Sequence, residues 1–441
     1  MIPPDAPLGL PHEAMRGWAV AVLAVCAAAC LVIAFAPAAR RAQRRRPRVL
    51  QAVPPWLLVV AAALLLRGAA SLVQDGAVFD VLVSYRSIGD RFLHGSDIWS
   101  GSTESLATYP PPVYAWWGFS ALVPAGDPHL FAALVRAPFW VADALLAGIV
   151  ARLLPPSTGP RAGWIYALCP VAIAVPTLHG QHDPVTDLLL VVAVAVLLPR
   201  GRVAAAGLTI GLATALKQWP VFFLLPLLAT LPRRRIAPFL LAVAAPPVLA
   251  FVAYGLVHPT DAVRGAVDVA TYRPHREGLG TSLLMPDGAN GGVFVLTNLV
   301  VTVGAGAVAA LLVRRGWGLA DAMAVDMLLL VGLSPTVSDQ YLMWAFPFLL
   351  LAGRLRTSAV LGAGLLPAVV ALDLWQTVND GDAPHALLLL ASVACVASAV
   401  WIVADGVRVA GTRQPTGDAP EGRPQGAVGR SCSSNLPPRV M

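Results

Sequence analysis

Apolar runs close to the ~20 residues needed to cross a bilayer recur along this chain from Gly17 to Ala404, separated by short arginine clusters. That repetition constrains the fold more than any single motif. Lipid offers backbone N–H and C=O groups no partner, so a spanning chain must satisfy them within helices or a closed barrel. Runs of this length and continuity suit helices. Composition agrees: 57% of the residues are apolar and 12% charged, with mean hydropathy +0.71, where soluble domains carry about 25% charge. The expected fold class is an all-α polytopic membrane protein with about 11–13 membrane helices. The net charge of +7 is no argument for nucleic acid, because the arginines lie between apolar runs as the positive-inside rule expects. Cys26, Cys30, Cys169, Cys395 and Cys432 have no metal spacing and read as small packing residues.

Arginine clusters orient the spans. The first, Gly17–Ala36, lacks a basic start and is followed by Arg40, Arg41, Arg44, Arg45, Arg46 and Arg48, so it reads as a retained helix running inward. Val53–Val73 returns outward with Arg67 near its outer end, where snorkelling to the interface is the ordinary expectation. The stretch from Phe79 to Pro112 is then extracytoplasmic. Val113–Pro124 is short for a span and is expected to be re-entrant or interfacial. Leu130–Leu154 carries Arg136 and Asp143 on one face, turned to the bundle interior. Val203–Leu231 is too long for one straight crossing and is interrupted at Lys217-Gln218-Trp219-Pro220. Arginine at both ends of it argues for a hairpin with Lys217 at the outer tip. Three regions follow: an extra N-terminal helix and basic loop (1–52), a catalytic membrane domain (53–404) and a disordered cytoplasmic tail (405–441).

Polar groups gather on the outer side of this topology: Asp80, the run His179 to Asp183, Lys217, the loop 258–291 with Arg273 and Arg276, and the run Ser334 to Tyr341. Each has a plain structural reading. Asp80 suits a helix cap, His179 or His182 likewise, and the two arginines suit a solvated loop. Their joint placement is what suggests a site, since buried acids and bases in a membrane protein cost free energy unless paired or used. Lys217 stands apart: among 31 basic residues it is the only lysine. In an alanine-, arginine- and valine-rich chain, that points either to a position needing a compact ammonium and not a planar fork or to chance retention. A phosphate loop with Lys-Ser/Thr, a Gly-x-Ser-x-Gly elbow and a His-Glu-x-x-His zinc motif are all absent.

In chain order, Asp80 with Tyr85, then Gly95 and Tyr109-Pro110-Pro111, resembles the first-loop signature of GT-C glycosyltransferases, most closely the family 87 polyprenyl-phosphomannose-dependent α-mannosyltransferases. Gly180-Gln181-x-Asp183, Gly207-x-x-x-Gly211 through Lys217 and Pro220, Gly280-x-Ser282, and Ser334-Pro335 with Gln340-Tyr341-x-x-Trp344 continue the resemblance over residues 54–355. Where family members often carry a histidine, this chain has Gln340. The resemblance implies a GT-C-like bundle with an extracytoplasmic active site in the cell membrane. There an inverting transfer moves a hexose, most readily mannose, from a polyprenyl-phosphate sugar to a glycolipid or glycan acceptor.

In that frame Asp80 is the general base on the acceptor hydroxyl, and Lys217, with Arg273 or Arg276, holds the leaving phosphate. Tyr85, Arg86, Tyr109, Gln181, His182, Asp183, Gln340 and Tyr341 complete the expected substrate-binding set. The partners are the lipid-linked donor, the acceptor and membrane lipids. No cofactor is called for; a divalent metal is compatible with the chemistry, but nothing in the sequence supports one. The competing class is a transporter or lipid-sugar flippase, which predicts discontinuous helices in both halves of the chain. Only one such break is evident, at Lys217.

Overall fold

The computed structural model describes residues 12–37, 53–73, 80–96, 98–99, 109–123, 128–270, 291–335, 339–370 and 383–411. The basic loop 40–48, Arg273, Arg276 and the tail beyond 411 lie outside the described residues. All regular structure among the described residues is helical. Five helices there are long and apolar enough to cross a membrane, or six if the bent pair Gly159–Leu168 and Pro170–His179 counts as one span. Five shorter apolar helices accompany them. The expected count of eleven is therefore reached only if every short helix crosses.

Prolines decide where helices stop. Pro170 pushes Cys169 into extended backbone (φ −62°, ψ 121°), because a residue before proline avoids the helical region. The result is a 58° bend between the helices Gly159–Leu168 and Pro170–His179. Pro220 acts in the same way on Val203–Leu216: a continued helix would drive its ring into the carbonyl of Leu216. The helix ends there, and Lys217 is extended (φ −154°, ψ 133°). A 3-10 turn, Trp219–Phe223, and the helix Leu224–Thr230 follow, as the interruption predicted. The helix Pro111–Ala121 has 11 residues, about 16 Å at 1.5 Å per residue against a hydrocarbon core of ~30 Å. It is too short to cross.

The loop 258–291 opens with a helix, Pro259–Ala270, that the residue pattern did not suggest. Gly207 and Gly211 earn their place by close helix packing against Arg233–Gly255. A Cβ would come within 2.8 Å of the Phe239 carbonyl at the first and 2.5 Å of the Val243 carbonyl at the second, the small-residue contact that lets apolar helices approach.

Arg67 corrects an expectation. It does not snorkel; its side chain is fully buried, its Nε donates to Asp143 Oδ2 at 2.5 Å, and its Nη1 donates to the Ala167 carbonyl. Tyr166 donates its hydroxyl to the other Asp143 oxygen at 2.8 Å. Burial explains the choice: a carboxylate in the interior of the bundle requires a partner, and Asp143 is 0% exposed. The added N-terminal helix, His12–Phe35, belongs to the same core, with Leu23, Cys26 and Cys30 buried. Arg161 clamps its end by donating to the carbonyls of Ile33, Ala34 and Ala36.

Candidate active site

A second, aromatic core built from the first loop carries the site. Tyr85 stacks on Trp117 with ring centres 3.9 Å apart, and Tyr109 meets the same Trp117 edge-on at 5.9 Å. Trp99 packs among Tyr114, Phe251 and Tyr254. Asp80 opens the π-helical turn Asp80–Tyr85; its side chain lies outside the described part of the structure. The turn is nonetheless placed, because Val81 presses on Gly180. A Cβ on Gly180 would lie 2.4 Å from Val81 Cγ2, and Gly180 has φ +79°, a left-handed conformation that glycine adopts without cost. Gly180 thereby brings the Asp80 turn against the loop that begins Gln181-His182-Asp183.

That loop is buried: Gln181, His182 and Asp183 are 1%, 2% and 0% exposed. Asp183 opens the helix Asp183–Val191, with Pro184 in its first turn, an arrangement that favours both the helix start and the negative charge. Its Oδ2 accepts from Lys217 Nζ at 2.7 Å and its Oδ1 accepts from Trp344 Nε1 at 2.6 Å. Lys217 sits between two phenol rings, its ammonium 5.3 Å from the centre of Tyr109 and 5.4 Å from that of Tyr341, a cation–π arrangement on either side.

The broken helix supplies one more contact. Because Pro220, four residues on, has no N–H to donate, the Leu216 carbonyl instead accepts from His182 Nε2 at 3.2 Å. A carbonyl only accepts, so Nε2 carries the proton. Burial, with the Lys217 ammonium adding to it, holds the imidazole pKa well below its usual value; the ring is neutral. Tyr109 reaches the same loop by donating its hydroxyl to Gln181 Oε1 at 3.4 Å.

Beside this cluster opens a cavity of about 610 Å³, lined by Lys217, Trp219, Tyr341 and Trp344 on one part of its wall. Apolar side chains such as Phe222, Phe251 and Leu299 line much of the rest. Trp219 stacks on Trp344 at 4.2 Å.

The structure thus unites the Asp80 turn, Tyr85, Tyr109, Gln181, His182, Asp183, Lys217 and Tyr341 at one end of the bundle. Gln340 is buried beside Tyr341, and its Oε1 has no hydrogen-bond partner among the described residues. Arg86 is engaged elsewhere: it donates to the Val123 carbonyl at 3.2 Å and lies over the Phe131 ring. Asp183, expected in the substrate-binding set, is the counter-ion that fixes Lys217. Trp344 and Trp219 were not expected as site residues; the only sequence signal for Trp344 was its position closing Gln340-Tyr341-x-x-Trp344. Among the described residues no group of three or more His, Cys, Asp or Glu side chains could hold a metal ion.

Apolar helices of this length around a buried cluster of acid, base and aromatic groups define a multi-pass membrane protein with a polar site at one end of its bundle. The sequence profile of glycosyltransferase family 87 matches residues 107–339, more than half of the chain, and the protein belongs to that family. It is a membrane glycosyltransferase. The matched segment starts after Asp80 and ends just before Gln340. No curated protein and no solved structure matches the chain.

Proposed function

We propose that this glycosyltransferase moves a hexose, mannose as first choice, from a polyprenyl-phosphate sugar to a lipid-linked or cell-envelope glycan acceptor on the extracytoplasmic side of the cell membrane. The observation that carries the reading is the Lys217 ammonium in the wall of a largely apolar cavity of about 610 Å³. Apolar walls suit an isoprenoid chain and the ammonium suits its phosphate. An ammonium has three N–H donors, so it can hold Asp183 and a phosphate oxygen together.

In this scheme Asp80 takes the proton of the acceptor hydroxyl as its oxygen attacks the anomeric carbon. The bond from that carbon to the phosphate oxygen breaks, and its electrons leave with the lipid phosphate. The phosphodiester bears about one negative charge and the departing monoester up to two. A fixed cation therefore binds the transition state more tightly than the ground state, which is the condition for acceleration. Arg273 and Arg276 are the second candidates for the same charge.

The test is to incubate membranes containing the protein with radiolabelled polyprenyl-phosphomannose and extract the lipids and glycans. Label in a larger glycolipid or glycan, dependent on the protein, is the expected result. Failure to transfer from mannosyl, glucosyl or arabinosyl polyprenyl phosphates overturns the donor class. Cysteines introduced as Gly76→Cys, Ala289→Cys and Asp382→Cys should react with an impermeant maleimide in intact cells; protection of any one breaks the assignment of side.

A further inference from the structure

The wall of the same cavity contains a second polar element, on the helix Gly291–Arg314. This helix is apolar over most of its length, yet Asn298 and Thr302 stand one turn apart and both line the cavity. Residues four apart on a helix share a face, so the pair forms a short polar stripe. Ser334 donates its hydroxyl to Asn298 Oδ1 at 2.5 Å, which fixes the side-chain amide. The amide NH2 group is left with no acceptor among the described residues.

Thr209 and Thr214 turn their hydroxyls back to the carbonyls of Ala205 and Ile210, the usual way a membrane threonine satisfies itself. Among the described residues Thr302 makes no such bond, nor does Thr186. Two sets of donors therefore line a cavity to whose wall Trp219, Tyr341 and Trp344 also contribute. Polar groups held in an apolar setting with unused bonding capacity are costly unless something completes them. A hexose presents hydroxyls that suit such donors and apolar C–H groups that suit the apolar and aromatic side chains around them.

We infer that Asn298, positioned by Ser334 and joined by Thr302, reads a hydroxyl of the transferred sugar and so sets donor specificity. The inference rests on the reading of the cavity as the site for a polyprenyl-phosphate sugar. Its chemistry is that of a built hydrogen-bonding site: a sugar lacking the hydroxyl leaves the amide unpaired, and the loss falls on that sugar alone.

The experiment measures binding of polyprenyl-phosphomannose, its four monodeoxy analogues and sugar-free polyprenyl phosphate. Purified wild type is compared with Asn298→Leu, using the quenching of tryptophan fluorescence as readout. The expected result is an approximately tenfold or greater loss of polyprenyl-phosphomannose binding in Asn298→Leu, with polyprenyl phosphate bound equally by both proteins. One deoxy donor should bind wild type and variant alike, because it lacks the hydroxyl that Asn298 holds. Equal weakening of sugar-bearing and sugar-free lipids, or no weakening, overturns the assignment while leaving the donor class intact. Absence of polyprenyl phosphate binding by the wild type overturns the donor class and this assignment with it. If the leucine variant does not purify, Asn298→Ala carries the same expectations.

Discussion

Lys217 Nζ lies 2.7 Å from Asp183 Oδ2, with both side chains almost completely withdrawn from solvent. The chain's only lysine is thus held by a carboxylate that opens a different helix. Breaking such a pair leaves an unpaired buried charge and costs about 3–5 kcal/mol, whereas replacing both partners with apolar side chains is often nearly neutral.

Lys217→Met and Asp183→Leu, made singly, should each lower stability by roughly that amount, and the double variant should recover most of it. Thermal unfolding in detergent measures this. Transfer activity should not return in the double variant, because the charge that meets the leaving phosphate is still missing. Lys217→Arg should keep the charge yet raise the apparent donor KM, since a planar fork does not reproduce a compact ammonium. Full activity in the double variant would remove Lys217 from the mechanism.

Asp80→Asn retains size and hydrogen-bonding capacity but cannot take a proton. With a base role, it should insert normally, bind donor normally and lose at least ~100-fold in kcat. A residue that merely caps a helix predicts about 1 kcal/mol or less of stability change and near-normal turnover. Single-turnover transfer with prebound donor separates the two.

Gly180→Ala places a Cβ 2.4 Å from Val81 Cγ2 at a backbone φ of +79°. Left-handed strain in a non-glycine residue costs on the order of 1–3 kcal/mol. The turn bearing Asp80 must also shift, and a displacement near 1 Å can cost about 100-fold in rate. Adding Val81→Ala should relieve the clash but not the backbone strain, restoring part of the activity and little of the stability. Wild-type kcat in Gly180→Ala alone would show that the two segments do not position each other.

His182 makes the fold acid-sensitive. Its native pKa is depressed below the unfolded value of about 6.5. Below that pH the unfolded chain takes up a proton that the native ring refuses. Stability from this source is therefore complete above about pH 6.5 and falls as the pH drops further, by up to ~1.4 kcal/mol per pH unit. Unfolding midpoints in detergent between pH 8 and 5 should fall for the wild type, and the slope should flatten in His182→Asn. Identical slopes for the two proteins would show that the native imidazole is free to protonate.

The sequence by itself determined the long apolar helices and the interruption at Lys217, but not the 58° break at Cys169 or the helix Pro259–Ala270. Transfer of apolar side chains into lipid is local and additive, so runs such as Gly291–Arg314 announce themselves. Proline acts within four residues, which is why the break at Lys217 was legible from Pro220. Residues from the runs at 179–183 and 217, with Tyr341 and Trp344, meet in the structure, and those runs stood out in the sequence as polar groups among apolar spans. What only the tertiary structure decided was which polar group meets which. Lys217 reaches Asp183 across 34 positions of sequence and Trp344 reaches it across 161, while Arg67 turns inward to Asp143 instead of outward to the interface. Desolvation makes a partner obligatory for each buried charge but carries no information about its identity. That depends on how the helices pack, through contacts such as Val81 on Gly180 and Ser334 on Asn298, which no local pattern in the chain encodes.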